Sequence, residues 1–223
     1  MVQTFTSQIL AILPLTDSVK HFVISTPDNF AFKPGQFVSL ILPIEGKEHR
    51  RPYSIASEPN DEDHISLCIK IIPEGVCTPT INTLTVGDTV KVLGPLGQFT
   101  LKEYDSSLFI ATGTGITPFR SMIPELLKNT KKEVTLLTGH KTKNTALYSQ
   151  EFLSLEKQFE NFKYSCVLSQ EEDKKHVQDI LKEMDIKHKQ IYICGLFPMI
   201  QEVLQILQEK NIPKEIIHFE RYS

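Results

Sequence analysis

Two short stretches carry most of the chemistry in this chain. The first is Ala111-Thr112-Gly113-Thr114-Gly115-Ile116-Thr117-Pro118-Phe119-Arg120, which follows the apolar run Leu108-Phe109-Ile110-Ala111. The run predicts a buried strand, and Ser121-Met122-Ile123-Pro124-Glu125-Leu126-Leu127 after it predicts a helix. A strand that turns through glycines into a helix start suits a phosphate. Glycine lets the anion approach the backbone, and free N–H groups at the helix start face it. The spacing is Gly-x-Gly-x-x-Pro and not the full Gly-x-Gly-x-x-Gly fingerprint, so a tight packing turn is an equal reading. The second stretch is Arg51-Pro52-Tyr53-Ser54. It offers a guanidinium for a phosphate, an aromatic face for a flat ring and a hydroxyl beside them.

The elements around these stretches change grammar near the middle of the chain. Up to about residue 100 the pattern is one of short strands, at 8–13, 19–25, 36–42, 53–56, 64–72 and 89–93. Turn signals separate them: Pro27-Asp28-Asn29, Lys33-Pro34-Gly35, Glu45-Gly46-Lys47, Pro59-Asn60-Asp61 and Gly87-Asp88. One helical turn is expected at 81–84. This predicts an antiparallel β-barrel or sandwich. From about residue 105 strands (108–111, 134–139, 164–168, 190–194, 216–219) alternate with helices (119–128, 148–159, 177–184, 198–210). That alternation predicts an α/β unit with a parallel sheet. The expected domains are 1–101 and 102–223, a pair able to hold a cofactor.

Composition narrows the function classes. With 223 residues, 40% hydrophobic, 23% charged and a net charge of −3, the chain reads as globular and gives no argument for a nucleic-acid partner. No apolar run reaches membrane-spanning length, and the start lacks signal-peptide features, so a cytoplasmic location is expected. Cys68, Cys77, Cys166 and Cys194 show no Cys-x-x-Cys spacing, which predicts no metal centre.

Taken in order, the motifs resemble those of the flavin-dependent reductases related to plant-type ferredoxin–NADP reductase. Phe32-Lys33-Pro34-Gly35-Gln36-Phe37-Val38 is similar to that family's Pro-Gly-Gln-aromatic strand start. Arg51-Pro52-Tyr53-Ser54-Ile55-Ala56-Ser57 resembles its Arg-x-Tyr-Ser motif, and Ser66-Leu67-Cys68-Ile69-Lys70 its flavin-side strand. Gly75-Val76-Cys77-Thr78 resembles a Gly-x-x-Ser/Thr pyrophosphate turn, and Gly94-Pro95-Leu96-Gly97-Gln98-Phe99 the close of the barrel. Gly113-Thr114-Gly115-Ile116-Thr117-Pro118 corresponds to the nicotinamide-nucleotide loop, and Cys194-Gly195-Leu196-Phe197-Pro198-Met199 to a Cys-Gly-x-x-x-Met partner.

The resemblance implies an antiparallel FAD-binding barrel followed by a parallel-sheet nucleotide-binding domain, with roles position by position. Arg51 and Thr78, with the backbone of Gly75, Val76 and Cys77, would hold the FAD pyrophosphate. Tyr53 would lie on the isoalloxazine after Pro52, with Ser54 hydrogen-bonded near N5 and Cys68, Ile69 and Lys70 along the flavin edge. Thr112, Gly113, Thr114, Gly115, Ile116 and Pro118 would cradle NADH or NADPH. Ser169 would end the third strand at the far end of the nucleotide, and Cys194 and Gly195 would approach the nicotinamide, with Met199 packing behind. Near the end, Glu220 would join Ser54 and Cys194 as catalytic residues, and Tyr222 would stack on the flavin opposite Tyr53.

The activity so implied is hydride transfer from NAD(P)H to flavin N5, then electron transfer to a separate acceptor such as a ferredoxin-like protein. An iron–sulfur domain is not expected. The rivals are a flavin reductase with free FMN or riboflavin as substrate, and a redox-sensing regulatory subunit. Where NADPH-preferring relatives place an arginine, this chain reads Ser169-Gln170-Glu171-Glu172-Asp173. Those carboxylates would repel a 2′-phosphate, although Lys141, Lys143, Lys174 and Lys175 are near in sequence, so the reading leans to NADH.

Overall fold

Val19-Lys20-His21-Phe22-Val23-Ile24-Ser25 is rich in β-branched and aromatic residues and forms strand β2 (Val19–Ser25). It pairs antiparallel with β1 (Gln3–Thr16) on one side and β5 (His64–Lys70) on the other. The computed structural model describes residues 1–59 and 63–222 in two units, Met1–Thr100 with Arg120–Met122, and Leu101–Phe119 with Ile123–Ser223. The expected turn at Pro59-Asn60-Asp61 extends beyond the described residues.

In the first unit six strands form one curled antiparallel sheet in the order β4-β3-β6-β1-β2-β5. Here β3 is Phe37–Ile44, β4 is Lys47–Ser54 and β6 is Thr89–Leu96. The long β1 serves both halves, residues 3–8 pairing with β6 and residues 9–16 with β2 across an irregularity between Ile9 and Ala11. Such a break bends a strand and raises its twist. The two edge strands approach again through the Ile55–Leu67 bridge and the Ala56 N–H to Ser66 carbonyl bond of 2.8 Å. Inside lie Ile9, Phe22, Val38, Leu40, Ile55, Leu67 and Val92. Strand β4 begins six residues before the sequence pattern shows one. Glu45 and Gly46 both have positive φ, 49° and 75°, so they close the two-residue hairpin that sets its register, Ile44 opposite Lys47. The helical turn α1 (Thr78–Asn82) likewise starts earlier than expected, with Pro79 in its first turn.

The second unit carries a parallel sheet in the order β11-β10-β7-β8-β9. Its strands are β7 (Ser107–Thr112), β8 (Val134–His140), β9 (Phe162–Leu168), β10 (Gln190–Leu196) and β11 (Ile217–Tyr222). The chain builds outward from β7 to β8 to β9, then returns to the other side of β7 for β10 and β11. That reversal makes the gap between β7 and β10 the topological switch point. Helices α2 (Thr117–Asn129), α3 (Ser149–Gln158), α4 (Val177–Glu183) and α5 (Phe197–Glu209) connect the strands. As the spacing predicts, Ile200, Val203 and Leu207 bury one face of α5 against Leu108, Ile110, Ile191 and Ile193. Phe109 and Tyr192 stack at 5.0 Å in the middle of the sheet. No helix among the described residues is long and apolar enough to cross a membrane.

His140, at the end of β8, is buried, and its Nε2 has no hydrogen-bond partner among the described residues. Burial holds its pKa down at about 4, against a smaller opposing effect of a hydrogen bond to the Thr145 backbone. The unfolded chain therefore binds a proton near the ordinary value of 6.5 that the folded chain refuses until about pH 4. Stability from this group is fully present above pH 6.5 and is lost as the pH falls toward 4, by about 3 kcal/mol in total. Urea-unfolding midpoints measured between pH 7 and 4 are expected to fall less steeply in His140→Leu than in the parent chain. An unchanged slope would reject the assignment.

Candidate active site

In the first unit the chemistry collects around the end of β4. Arg51 and Tyr53 are two residues apart on one strand and so lie on the same face. Sheet order leaves the outer edge of β4 without a strand partner until Ile55 bridges to Leu67. Arg51 is exposed, its Nη1 donating to the Arg50 carbonyl at 2.9 Å. Tyr53 is half-buried against the sheet's core. Its hydroxyl is pushed up to about 12, first by burial and then by the nearby Cys77, while Arg51 pulls the other way. Cys77 and Arg51 are thus both near enough to the Tyr53 hydroxyl to act on it. Ser54 is buried at the strand end.

The other flavin-side residues divide. Cys68 and Ile69 are buried in β5, and Ile69 belongs to the core, whereas Lys70 is exposed at the strand end. Cys77 is buried at the start of α1. The Thr78 hydroxyl is engaged with Ile72, donating to its carbonyl at 2.7 Å and accepting from its N–H at 3.0 Å.

Residues of the second unit meet at the carboxyl end of the sheet, across the switch point. Thr112 ends β7, and Gly113–Ile116 forms a single 3-10 turn that leads into α2, with Pro118 in its first turn. The Thr117 hydroxyl donates to the Thr114 carbonyl at 2.6 Å and ties the turn to the helix. Gly113 has φ +54°, and a Cβ there would meet nothing within 4 Å. Gly115 is the opposite case, since a Cβ there would overlap the Cys194 carbonyl oxygen. A Cβ on Gly195 would stand 2.7 Å from the Thr112 hydroxyl and 2.6 Å from Met199 Cε. Met199 itself is buried in the core, as expected. Gly139, which sequence reasoning passed over, has space for a Cβ only at 3.1 Å from Thr112 and Val177. Its signal was a glycine near the end of an apolar strand.

Cys194 lies in register with Ala111 on one side and Glu220 on the other. It is fully buried, and its thiol is held well above the ordinary range by burial and by the Glu220 charge, against a hydrogen bond from Tyr222. The thiol is therefore neutral and not a nucleophile. Tyr222 is paired in β11 opposite Leu196. Ser169 follows β9, its N–H donating to the His140 carbonyl at 2.9 Å, while Gln170 donates to Lys141 at 2.8 Å. A contact missed from sequence is Glu171, whose carboxylate accepts the Lys143 N–H at 3.1 Å.

These observations fit the two groups that the motifs imply. An exposed guanidinium and an unpaired strand edge stand beside a half-buried tyrosine in one unit. In the other, an open glycine faces outward at the switch point.

Comparison with known proteins agrees. Residues 9–101 match the oxidoreductase FAD-binding domain, and residues 109–205 the oxidoreductase NAD-binding domain. The chain is 29% identical to ferredoxin–NADP reductase B of Sorangium cellulosum over 99% of its own length and 98% of that protein's. It is 27% identical to the reductase component of propane 2-monooxygenase from Rhodococcus jostii and spans 64% of that protein. Among solved structures, ferredoxin–NADP+ reductase from Plasmodium falciparum superposes with a TM-score of 0.83 at 26% identity, covering 98% of this chain and 96% of that one. With one half matching an FAD-binding and the other an NAD-binding oxidoreductase domain, this chain belongs to the ferredoxin–NADP reductase superfamily of NAD(P)H-dependent flavoprotein oxidoreductases.

Proposed function

We propose that residues 1–101 hold FAD, that residues 102–223 hold the nicotinamide nucleotide, and that the electrons go to a separate redox protein of the ferredoxin or oxygenase-component class. The observation that carries this reading is the switch-point notch, where Gly115 packs on the Cys194 carbonyl and Gly113 opens outward. FAD, when bound, supplies the chemistry that accepts hydride at N5 and gives electrons up to the acceptor. The relatives' names support a protein acceptor.

The chain's own residues bind and orient. Arg51 neutralises pyrophosphate charge, Tyr53 gives the flat ring an apolar face, and Ser54 supplies a hydroxyl at the reactive edge. Thr112, Gly113, Thr114 and Gly115, closed by Ile116 and Pro118, present backbone to the nucleotide phosphates. Cys194 and Gly195 form the floor beneath the nicotinamide. Glu220 sets a negative charge beside the neutral Cys194 thiol, and Tyr222 donates to it. Glu171, held against the Lys143 amide, puts a carboxylate beside Ser169, where a 2′-phosphate would be repelled. NADH is the preferred donor.

The purified protein is expected to show a bound-FAD absorbance spectrum that bleaches anaerobically faster with NADH than with NADPH. A colourless protein that oxidises NADH only with added FMN or riboflavin would replace this reading with a flavin reductase. Arg51→Ala removes a charge-assisted partner worth about 1.5–3 kcal/mol, so FAD affinity should drop by roughly tenfold to a hundredfold in equilibrium titration. Unchanged affinity would reject that role. Gly115→Ala drives the 113–116 turn off the end of β10, so stopped-flow reduction by NADH should slow by at least about tenfold while FAD stays bound. Normal reduction would remove the notch from the nucleotide site.

A further inference from the structure

The segment that follows Ser54 is pinned from several sides once it leaves β4. The Ile55 N–H donates to the Gln36 carbonyl at 2.9 Å, and the Ala56 N–H to the Ser66 carbonyl at 2.8 Å. Ser57 Oγ accepts from the Ser66 N–H at 3.1 Å. Ala56 is fully buried, and its carbonyl accepts from Arg120 Nη1 at 2.9 Å. A buried carbonyl paired with a charged donor makes one of the stronger hydrogen bonds in a fold.

Helix stability does not explain an arginine at 120. It is the fourth residue of α2, where a cation opposes the helix dipole. Pro124, one turn on, has no N–H to give the Arg120 carbonyl, so the helix ladder is interrupted at this residue. Side-chain packing holds the turn instead. Arg120–Met122 counts with the first unit, and a Cβ on Gly35 would stand 3.0 Å from Met122 Sδ and overlap the Phe99 carbonyl oxygen. Gly35 directly precedes Gln36, whose carbonyl holds Ile55. Residues 120–122 therefore act on the strand end twice, through Ala56 and through the Gly35–Gln36 backbone. A guanidinium this near a glycine turn could serve a nucleotide phosphate, but here it is turned onto Ala56.

We propose that Arg120 is a positioning residue for hydride transfer: by holding the Ala56 carbonyl it fixes the end of the Arg51–Ser57 segment, and so the place of the Ser54 hydroxyl against the flavin. This rests on the FAD reading given above. The arginine touches neither ligand in this role. It acts through two residues of backbone.

The test is anaerobic stopped-flow reduction of the FAD-loaded full chain over a series of NADH concentrations. In Arg120→Met the limiting rate should fall by at least about tenfold, because small misplacements of a reacting group are costly. The NADH dissociation constant from the same series should stay within about twofold, and the visible bands of bound FAD should shift. Arg120→Lys, which still offers an N–H, should recover most of the rate. Arg120→Gln, two atoms shorter than the guanidinium, serves the same comparison if methionine is not tolerated in the half-buried position. Adding Arg120→Met to Ser54→Ala should slow reduction little further, since the two act through one hydroxyl. Additive slowing, or a Ser54→Ala chain that reduces normally, overturns the proposal. Weaker NADH binding at an unchanged limiting rate also overturns it and makes Arg120 a nucleotide ligand. If the parent chain binds no FAD, the reading on which the proposal rests fails instead.

Discussion

The contact of Gly115 with the Cys194 carbonyl sets the geometry of the second unit. Two parallel strands, β7 and β10, end side by side where the chain reverses its direction of sheet building. At such a point the connections leave to opposite sides and a crevice opens between them. For the crevice floor to be backbone and not side chain, the residues there must lack a Cβ. Gly115 and Gly195 meet that demand against Cys194, Thr112 and Met199, and Gly139 extends it to β8. Of the glycines at this end of the parallel sheet, Gly113 is the one that faces open space, and it does so with a left-handed backbone. The loop is thus rigid where it touches the sheet and open where a ligand would come.

In the first unit the corresponding constraint is a sheet that curls without closing fully. A closed barrel would pair every edge, whereas here β4 and β5 rejoin only at Ile55 and Leu67. The unpaired edge of β4 would invite aggregation in an apolar strand. This one is instead rich in charge, with Lys47, Glu48, His49, Arg50 and Arg51. The same residues that protect the edge also supply the guanidinium beside Tyr53.

Electrostatics separates groups that must stay neutral from those that must stay charged. Burial keeps the Cys194 thiol and the Tyr53 hydroxyl protonated across the working range, and it keeps His140 uncharged. Arg51, by contrast, remains exposed to solvent.

Much of this was legible in the chain itself. Strand periodicity marked β2 and the parallel strands, and the spacing of Ile200, Val203, Leu204 and Leu207 marked α5, because burial of one face imposes a period on sequence. The ordered glycine, arginine and tyrosine motifs disclosed the chemistry, since close backbone approach and phosphate pairing each tolerate few residue types. Strand β4 was largely invisible, because an exposed, charged edge strand has no apolar alternation and owes its register to the Glu45-Gly46 turn and to β3. Equally hidden were the Thr78–Ile72 hydrogen bonds, the Glu171–Lys143 contact and the neutral state of Cys194. Residue types and local spacing are one-dimensional properties that sequence records directly. Which donor a hydroxyl satisfies, and which charge a thiol feels, depends on neighbours that only the folded chain brings within a few ångströms.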